Sequence, residues 1–253
     1  MTEALRELPV LRGVCRALAD SGRPLDDLSD VELYETVVTV AEWVGDPIPV
    51  TADLAELVPA VEDRLRSGWF AEHSPTPDQA HFSATTEPVD IRLITPPPTS
   101  TTVFDDKPRG AWWTSSRLPD GTSTWSRAET VLGTPETRAA GKDLVRQEHW
   151  WTIDVAAAKI YRIESTVDYL DLLERFPLTN SAVPRVDWRT AATEFDAVHL
   201  SARGLVHTQS ALVKTSRGTT ALRGWNSEST AWLRSPRAER RPVVPAAGRA
   251  PLE

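Results

Sequence analysis

Three clusters in this 253-residue chain combine residue types that do chemistry. The last of them surrounds Glu228, in Gly224-Trp225-Asn226-Ser227-Glu228-Ser229-Thr230-Ala231-Trp232-Leu233. A carboxylate set among hydroxyls between two tryptophans is partly desolvated, which perturbs its pKa. Such a group can stabilise positive charge developing on a sugar. The second cluster is Lys107-Pro108-Arg109-Gly110-Ala111-Trp112-Trp113-Thr114-Ser115-Ser116, followed by Gly121-Thr122-Ser123-Thr124-Trp125. Adjacent tryptophans on a strand point to opposite faces, so one enters the core and the other stays partly exposed. Hydroxyls after such a strand fix a planar amide, while an indole stacks on a heterocycle. The remaining one, earliest in the chain, is Arg92, between apolar neighbours in Val89-Asp90-Ile91-Arg92-Leu93-Ile94. A guanidinium there either faces solvent and Asp90 or anchors a phosphate or carboxylate bidentately. Plainer readings stand beside the first two clusters: a solvent-facing strand glutamate, and a core strand with a polar turn.

Several other chemistries are excluded. No GxxxxGK[ST] loop, no GxGxxG after a strand and no GxSxG elbow occurs. The five histidines form no HxxxH or HxH pair, and Cys15 is the single cysteine, so no metal is expected. His199 and His207 fall on neighbouring predicted strands, where each reads as a hydrogen-bonded structural histidine. No run reaches the roughly 18–20 apolar residues that cross a bilayer. The acidic, amphipathic start lacks a signal peptide's basic and apolar regions, so the cytosol is the expected location, with no membrane partner. The net charge of −8 is uneven: residues 1–85 hold 16 Asp/Glu against 6 Lys/Arg, whereas residues 86–234 hold 18 of each. An acidic helical segment discourages nonspecific nucleic-acid binding and offers a surface for a basic protein partner.

These clusters need elements to position them. Leu5, Leu8, Leu11, Val14, Cys15 and Leu18 recur at helical spacing. Ser29 with Glu32 reads as a capping box ahead of Leu33, Val37, Val40, Ala41 and Val44. A third helix is predicted near 51–67, with Leu54, Leu57, Val58, Val61 and Leu65 inward. Short strand-like runs follow at 89–95, 110–115, 150–155, 159–164, 197–201, 205–208, 219–224 and 230–233. Helices are predicted at 166–175 and 187–195. The order lacks regular βαβ alternation and points to an α+β class with mixed or antiparallel sheets. The expected organisation is an acidic helical domain at 1–72, a linker at 73–85, an α+β domain at 86–236 and a Pro/Ala/Arg-rich tail at 237–253.

Taken in order, Arg92, Trp113-Thr114-Ser115-Ser116 with Trp125, and Glu228 within Asn226-Ser227-Glu228-Ser229-Thr230 resemble the ADP-ribosyltransferase superfamily over about 86–234. In that superfamily a first-strand Arg or His holds NAD, a strand with hydroxyl and aromatic residues forms the nicotinamide pocket, and a late glutamate is catalytic. The resemblance implies a split β-sheet domain, of the kind found in bacterial toxin-like members, that transfers ADP-ribose from NAD with release of nicotinamide. Arg92 would pair with an NAD phosphate or ribose, and Trp113 or Trp125 would stack on nicotinamide. Thr114, Ser115 and Ser116 would line the pocket, Ser115 or Ser116 orienting the ring and ribose, and Glu228 would be the catalytic residue. Asn226, also placed in the cofactor pocket, stands two before Glu228, where arginine- or asparagine/cysteine-directed members carry Glu or Gln. The acceptor therefore stays open among protein, nucleic acid, small molecule and water. The alternative is a non-catalytic protein-binding module of immunity or regulatory type.

Overall fold

The computed structural model describes residues 7–42, 49–72, 74–83, 89–95, 106–132 and 147–241. Helix α1 (Pro9–Ser21) carries proline in its first turn and ends on Gly22 in the left-handed region. It buries Val10, Leu11, Val14, Cys15 and Leu18. Helix α2 (Asp30–Glu42) opens on the expected capping box: the Ser29 N–H donates to Glu32 Oε2 at 2.9 Å, and the Glu32 N–H donates to Ser29 Oγ at 3.2 Å. Helix α3 (Ala52–Arg64) turns Leu54, Val58 and Val61 inward. The expected helix stop at 45–47, the first residues of the chain and the tail from 242 lie outside the described residues.

Strands β1 (Asp78–Ser83), β2 (Trp112–Ser116), β3 (Gln147–Ile153), β4 (Ile160–Ile163), β5 (Ala197–Leu200), β8 (Ser229–Trp232) and β9 (Ala238–Arg240) form one mixed sheet in the order β4-β5-β8-β2-β1-β3-β9. Only β4 and β5 run parallel; β6 (Leu212–Thr215) and β7 (Gly218–Ala221) make a separate hairpin. Helices α4 (Thr124–Leu132), α5 (Thr166–Arg175), α6 (Trp188–Glu194) and α7 (Ala202–Thr208) complete an α+β architecture. The side chains of α1–α3 share one apolar core with Val198, Leu200, Ala231 and Leu233 from one face of the sheet. A second cluster of Ile91, Trp112, Trp151, Ile153, Ala197 and Trp232 covers one end of the other face.

Several sequence expectations are corrected. The segment 73–85 is no plain linker, because β1 runs through it at the centre of the sheet. Residues 238–240, expected in the tail, pair with β3 as β9. Arg92 lies on no strand: Ile91–Leu93 is a single 3₁₀ turn, capped by the Asp90 carboxylate accepting the Arg92 N–H. That local Asx bond competes with a ladder. Residues 205–208 belong to α7, whose N-cap Ser201 accepts the Gly204 N–H at 2.9 Å.

Candidate functional site

The antiparallel register pairs Trp112 with Trp232 and Thr114 with Thr230, which places Ser116 opposite Glu228, one residue before β8 begins. Strand alternation sends Trp112, Thr114, Ser116, Thr230 and Glu228 to one face. Gln79 and His81 from β1 join them, because Gln79 pairs with Ser116. His199 from β5 joins them opposite Thr230. Every one of these polar side chains is buried. A buried polar side chain is costly unless hydrogen-bonded, so this belt must be internally satisfied.

Glu228 ends the belt, 2% exposed. The Ser116 N–H donates to Oε2 at 3.0 Å, the Ser116 hydroxyl to Oε1 at 2.8 Å and the Thr124 hydroxyl to Oε2 at 2.6 Å. The Glu228 N–H donates to the Tyr34 hydroxyl of α2 at 3.1 Å, so the N-terminal helices reach the site directly. Burial pushes the Glu228 carboxyl above its usual range, and the donors from Thr124 and Ser116 pull it back. His199 Nδ1 lies 3.7 Å from Oε1 and 3.0 Å from Thr230 Oγ1. Burial, reinforced by the Arg162 guanidinium, pushes His199 down to about 3, so the ring is neutral at pH 7 and forms no ion pair with Glu228. His81 Nδ1 sits 2.7 Å from the Trp113 carbonyl. A carbonyl only accepts, so Nδ1 carries the proton and Nε2 keeps its lone pair. Burial depresses the His81 pKa despite that bond.

A carboxylate offers about four acceptor sites, and three are filled here. Glu228 also borders a cavity of about 10 Å³ together with Trp69, Glu72, Ser74, Thr76, His199 and Ala202. That is the size of about one water. A held, desolvated carboxylate of this kind suits accepting a sugar hydroxyl while positive charge develops beside it.

The residues singled out from sequence fall into three places. Ser116 joins Glu228, while Thr114 is a buried support on the same face that accepts the Trp232 indole N–H at 2.9 Å. Trp113, Trp125 and Asn226 line a cleft of about 520 Å³ together with Trp225, Ser227 and Ser229. Because Ser227 and Ser229 alternate with Glu228, this cleft lies on the side of the strand away from the carboxylate. Ser115 also points away from Glu228, its hydroxyl accepting the Trp125 N–H at 3.4 Å. Arg92 is elsewhere: its side chain is 86% exposed and pairs with Asp90 at 2.8 Å. Its neighbour Ile91 packs against the Trp112–Trp232 end of the strands, opposite the Ser116–Glu228 end. The expected common cleft of Arg92, Trp113 and Glu228 is therefore corrected to a belt containing Glu228, Ser116 and Thr114.

Sequence reasoning missed Thr124, Gln79 and His81 as members of this site. The alternation in Gln79-Ala80-His81-Phe82 was the available signal for β1. Thr124 lay within the hydroxyl run of the second cluster, but nothing in the sequence ties it to Glu228, 104 residues away. Among the described residues no group of three His, Cys, Asp or Glu is placed to hold a metal, and no helix is long and apolar enough to cross a membrane. No family model, no curated protein and no solved structure matches this chain.

Proposed function

We propose that the chain is an NAD-consuming ADP-ribosyltransferase in which Glu228 is the catalytic carboxylate. One observation carries the reading: adjacent central strands β1, β2 and the start of β8 bring a histidine, a hydroxyl residue and a glutamate to one face. The resemblance spans about 86–234 with Arg92 as its first element; His81 of β1, outside that span, would take the first-strand place instead. Glu228 would accept the hydroxyl of the nicotinamide ribose through its open acceptor site. Nicotinamide would leave with the electron pair of the glycosidic bond, and the carboxylate would stabilise the oxocarbenium-like sugar. A nucleophile from protein, nucleic acid, small molecule or water would then bond to the anomeric carbon and lose its proton. His81, neutral and with Nε2 free to accept, would orient a ribose hydroxyl.

The test is nicotinamide release from NAD by the purified chain, with and without cell lysate, which separates hydrolysis from transfer. Glu228→Gln removes the charge at nearly constant volume. Release should fall by about 10²–10³-fold, the usual cost of losing one preorganised electrostatic group. Its thermal midpoint should not fall, because burial already disfavours the ionised form. Release by the variant at the wild-type rate would sink the proposal.

A second reading draws on the tryptophan cleft, which lies apart from Glu228. It is a non-catalytic protein-binding module engaging a basic partner through the acidic helices. Absence of NAD turnover, with capture of a defined partner surviving Glu228→Ala, favours it.

A further inference from the structure

The tryptophan cleft lies on the side of β8 away from Glu228, and its lining has a chemistry of its own. The indoles of Trp113, Trp125 and Trp225 meet there with the carboxylates of Glu42 and Glu129 and the ammonium of Lys107. Strand register fixes the side: Trp113 pairs with Ala231 and points to the face opposite Thr114 and Thr230. Whatever occupies the cleft is therefore not presented to the Glu228 carboxylate.

The aromatic walls are held from behind. The buried Trp225 ring meets Trp113 edge-on, with centroids 4.8 Å apart, and its indole N–H donates to the Asp106 carbonyl at 3.3 Å. Trp125 is backed by the Phe82 ring at 5.7 Å, and its indole N–H donates to Glu129 Oε1 at 3.3 Å. Glu129 follows Trp125 by one turn of α4, which keeps the carboxylate at the edge of the ring. Glu42, the last residue of α2, accepts the Asn226 amide N–H, and the Asn226 carbonyl accepts from Gln209 Nε2 at 3.2 Å. Rings and acids are thus positioned before a ligand arrives, which lowers the cost of binding one.

An indole face attracts a cation, and the cleft already holds one: Lys107 Nζ stands 5.6 Å from the Trp113 centroid. That is close to the outer limit of about 6 Å for the interaction. A primary ammonium is also strongly hydrated. A quaternary ammonium has no N–H to hydrate and loses little on leaving water for aromatic rings. Two carboxylates against one ammonium leave the described lining net negative, so an anion finds no matching charge. The volume of about 520 Å³ falls within the range of small-molecule sites.

We infer that this cleft binds a small molecule carrying a quaternary ammonium group. Trp113 and Trp125 face its methyl groups, Glu42 and Glu129 supply the counter-charge, and Lys107 is displaced from Trp113 as it enters. The site stands whether or not Glu228 acts on NAD. Choline is the probe, titrated into the purified chain by calorimetry beside dimethylbutanol, the neutral isostere in which tert-butyl replaces trimethylammonium. Choline should bind about tenfold more tightly than the isostere, the worth of a cation held against desolvated rings. Trp125→Ala should weaken choline binding about tenfold. Glu129→Gln, at an exposed position, should weaken it severalfold and serves if Trp125→Ala does not fold. Lys107→Met, which keeps the stem and removes the charge, should tighten it severalfold. Equal binding of choline and isostere, or no binding of either, overturns the cation site, as does choline binding unchanged in both Trp125→Ala and Glu129→Gln. Binding not tightened in Lys107→Met overturns the displacement. A trimethyllysine peptide that binds where choline does not overturns the small-molecule ligand in favour of a protein partner. Displacement of choline by NAD overturns the separation of this cleft from an NAD site.

Discussion

Glu228 and Asp106 are the acids buried among the described residues, and burial raises the pKa of both. For Asp106 the carboxyl goes from 3.8 to about 6, with Tyr169 and Arg185 opposing the shift. The sign follows from proton binding. Between those values the folded chain holds a proton that the unfolded chain releases, so this group's stabilisation is full below about 4 and is lost as pH rises towards about 6. Asp106→Asn should therefore flatten that part of the stability profile, measured as the wild-type-minus-variant difference in thermal midpoint across pH 4–7. An unchanged difference across that range contradicts the assignment. At this scale Glu228 was legible, because an acid between tryptophans and hydroxyls is chemically unusual. Of the two readings of Arg92 the structure shows the local one: Asp90, two residues away, supplies its partner and its turn at once. A charge explained so locally needed no ligand.

Among the elements, α7 shows how a short apolar run misleads. Leu205-Val206-His207-Thr208 has strand composition, yet the Ser201 cap commits the chain to helix. The helix then lies so close to β4 that a Cβ on Gly204 would stand 1.9 Å from the Ile163 carbonyl oxygen. Backbone cannot yield as a flexible side chain does, so Gly204→Ala should cost at least about 3 kcal/mol, beyond ordinary overpacking. Urea denaturation measures this, and a loss below about 1 kcal/mol would show that α7 shifts freely. The N-terminal helices were readable from their stripes and the Ser29–Glu32 box, because those signals are local. Strand β1 was passed over, because its one local signal, the alternation in 79–82, is short and set between polar stretches, and its place is fixed by neighbours β2 and β3. The hairpin β6–β7 was half seen, its second strand from sequence and its first, Leu212–Thr215, only in the fold.

For the whole molecule, the division into a helical part and a sheet part describes composition better than packing. Side chains of α1–α3 complete the core of one sheet face, and Tyr34 holds the backbone of Glu228. Residues 86–241 expressed alone should therefore lack a cooperative melt, since they lack both that cover and the central strand β1. A cooperative melt with native-like circular dichroism would show the sheet region to be independent. The overall α+β class was legible from the irregular alternation of strands and helices; the neighbour order was not, because pairing between strands far apart leaves no local trace. That pairing also sets when the molecule becomes competent. Ser116 and Thr124 are translated more than a hundred residues before the glutamate they hold, and loops that long close late. On the ribosome, and in any product terminated before residue 228, these hydroxyls wait without the Glu228 carboxylate.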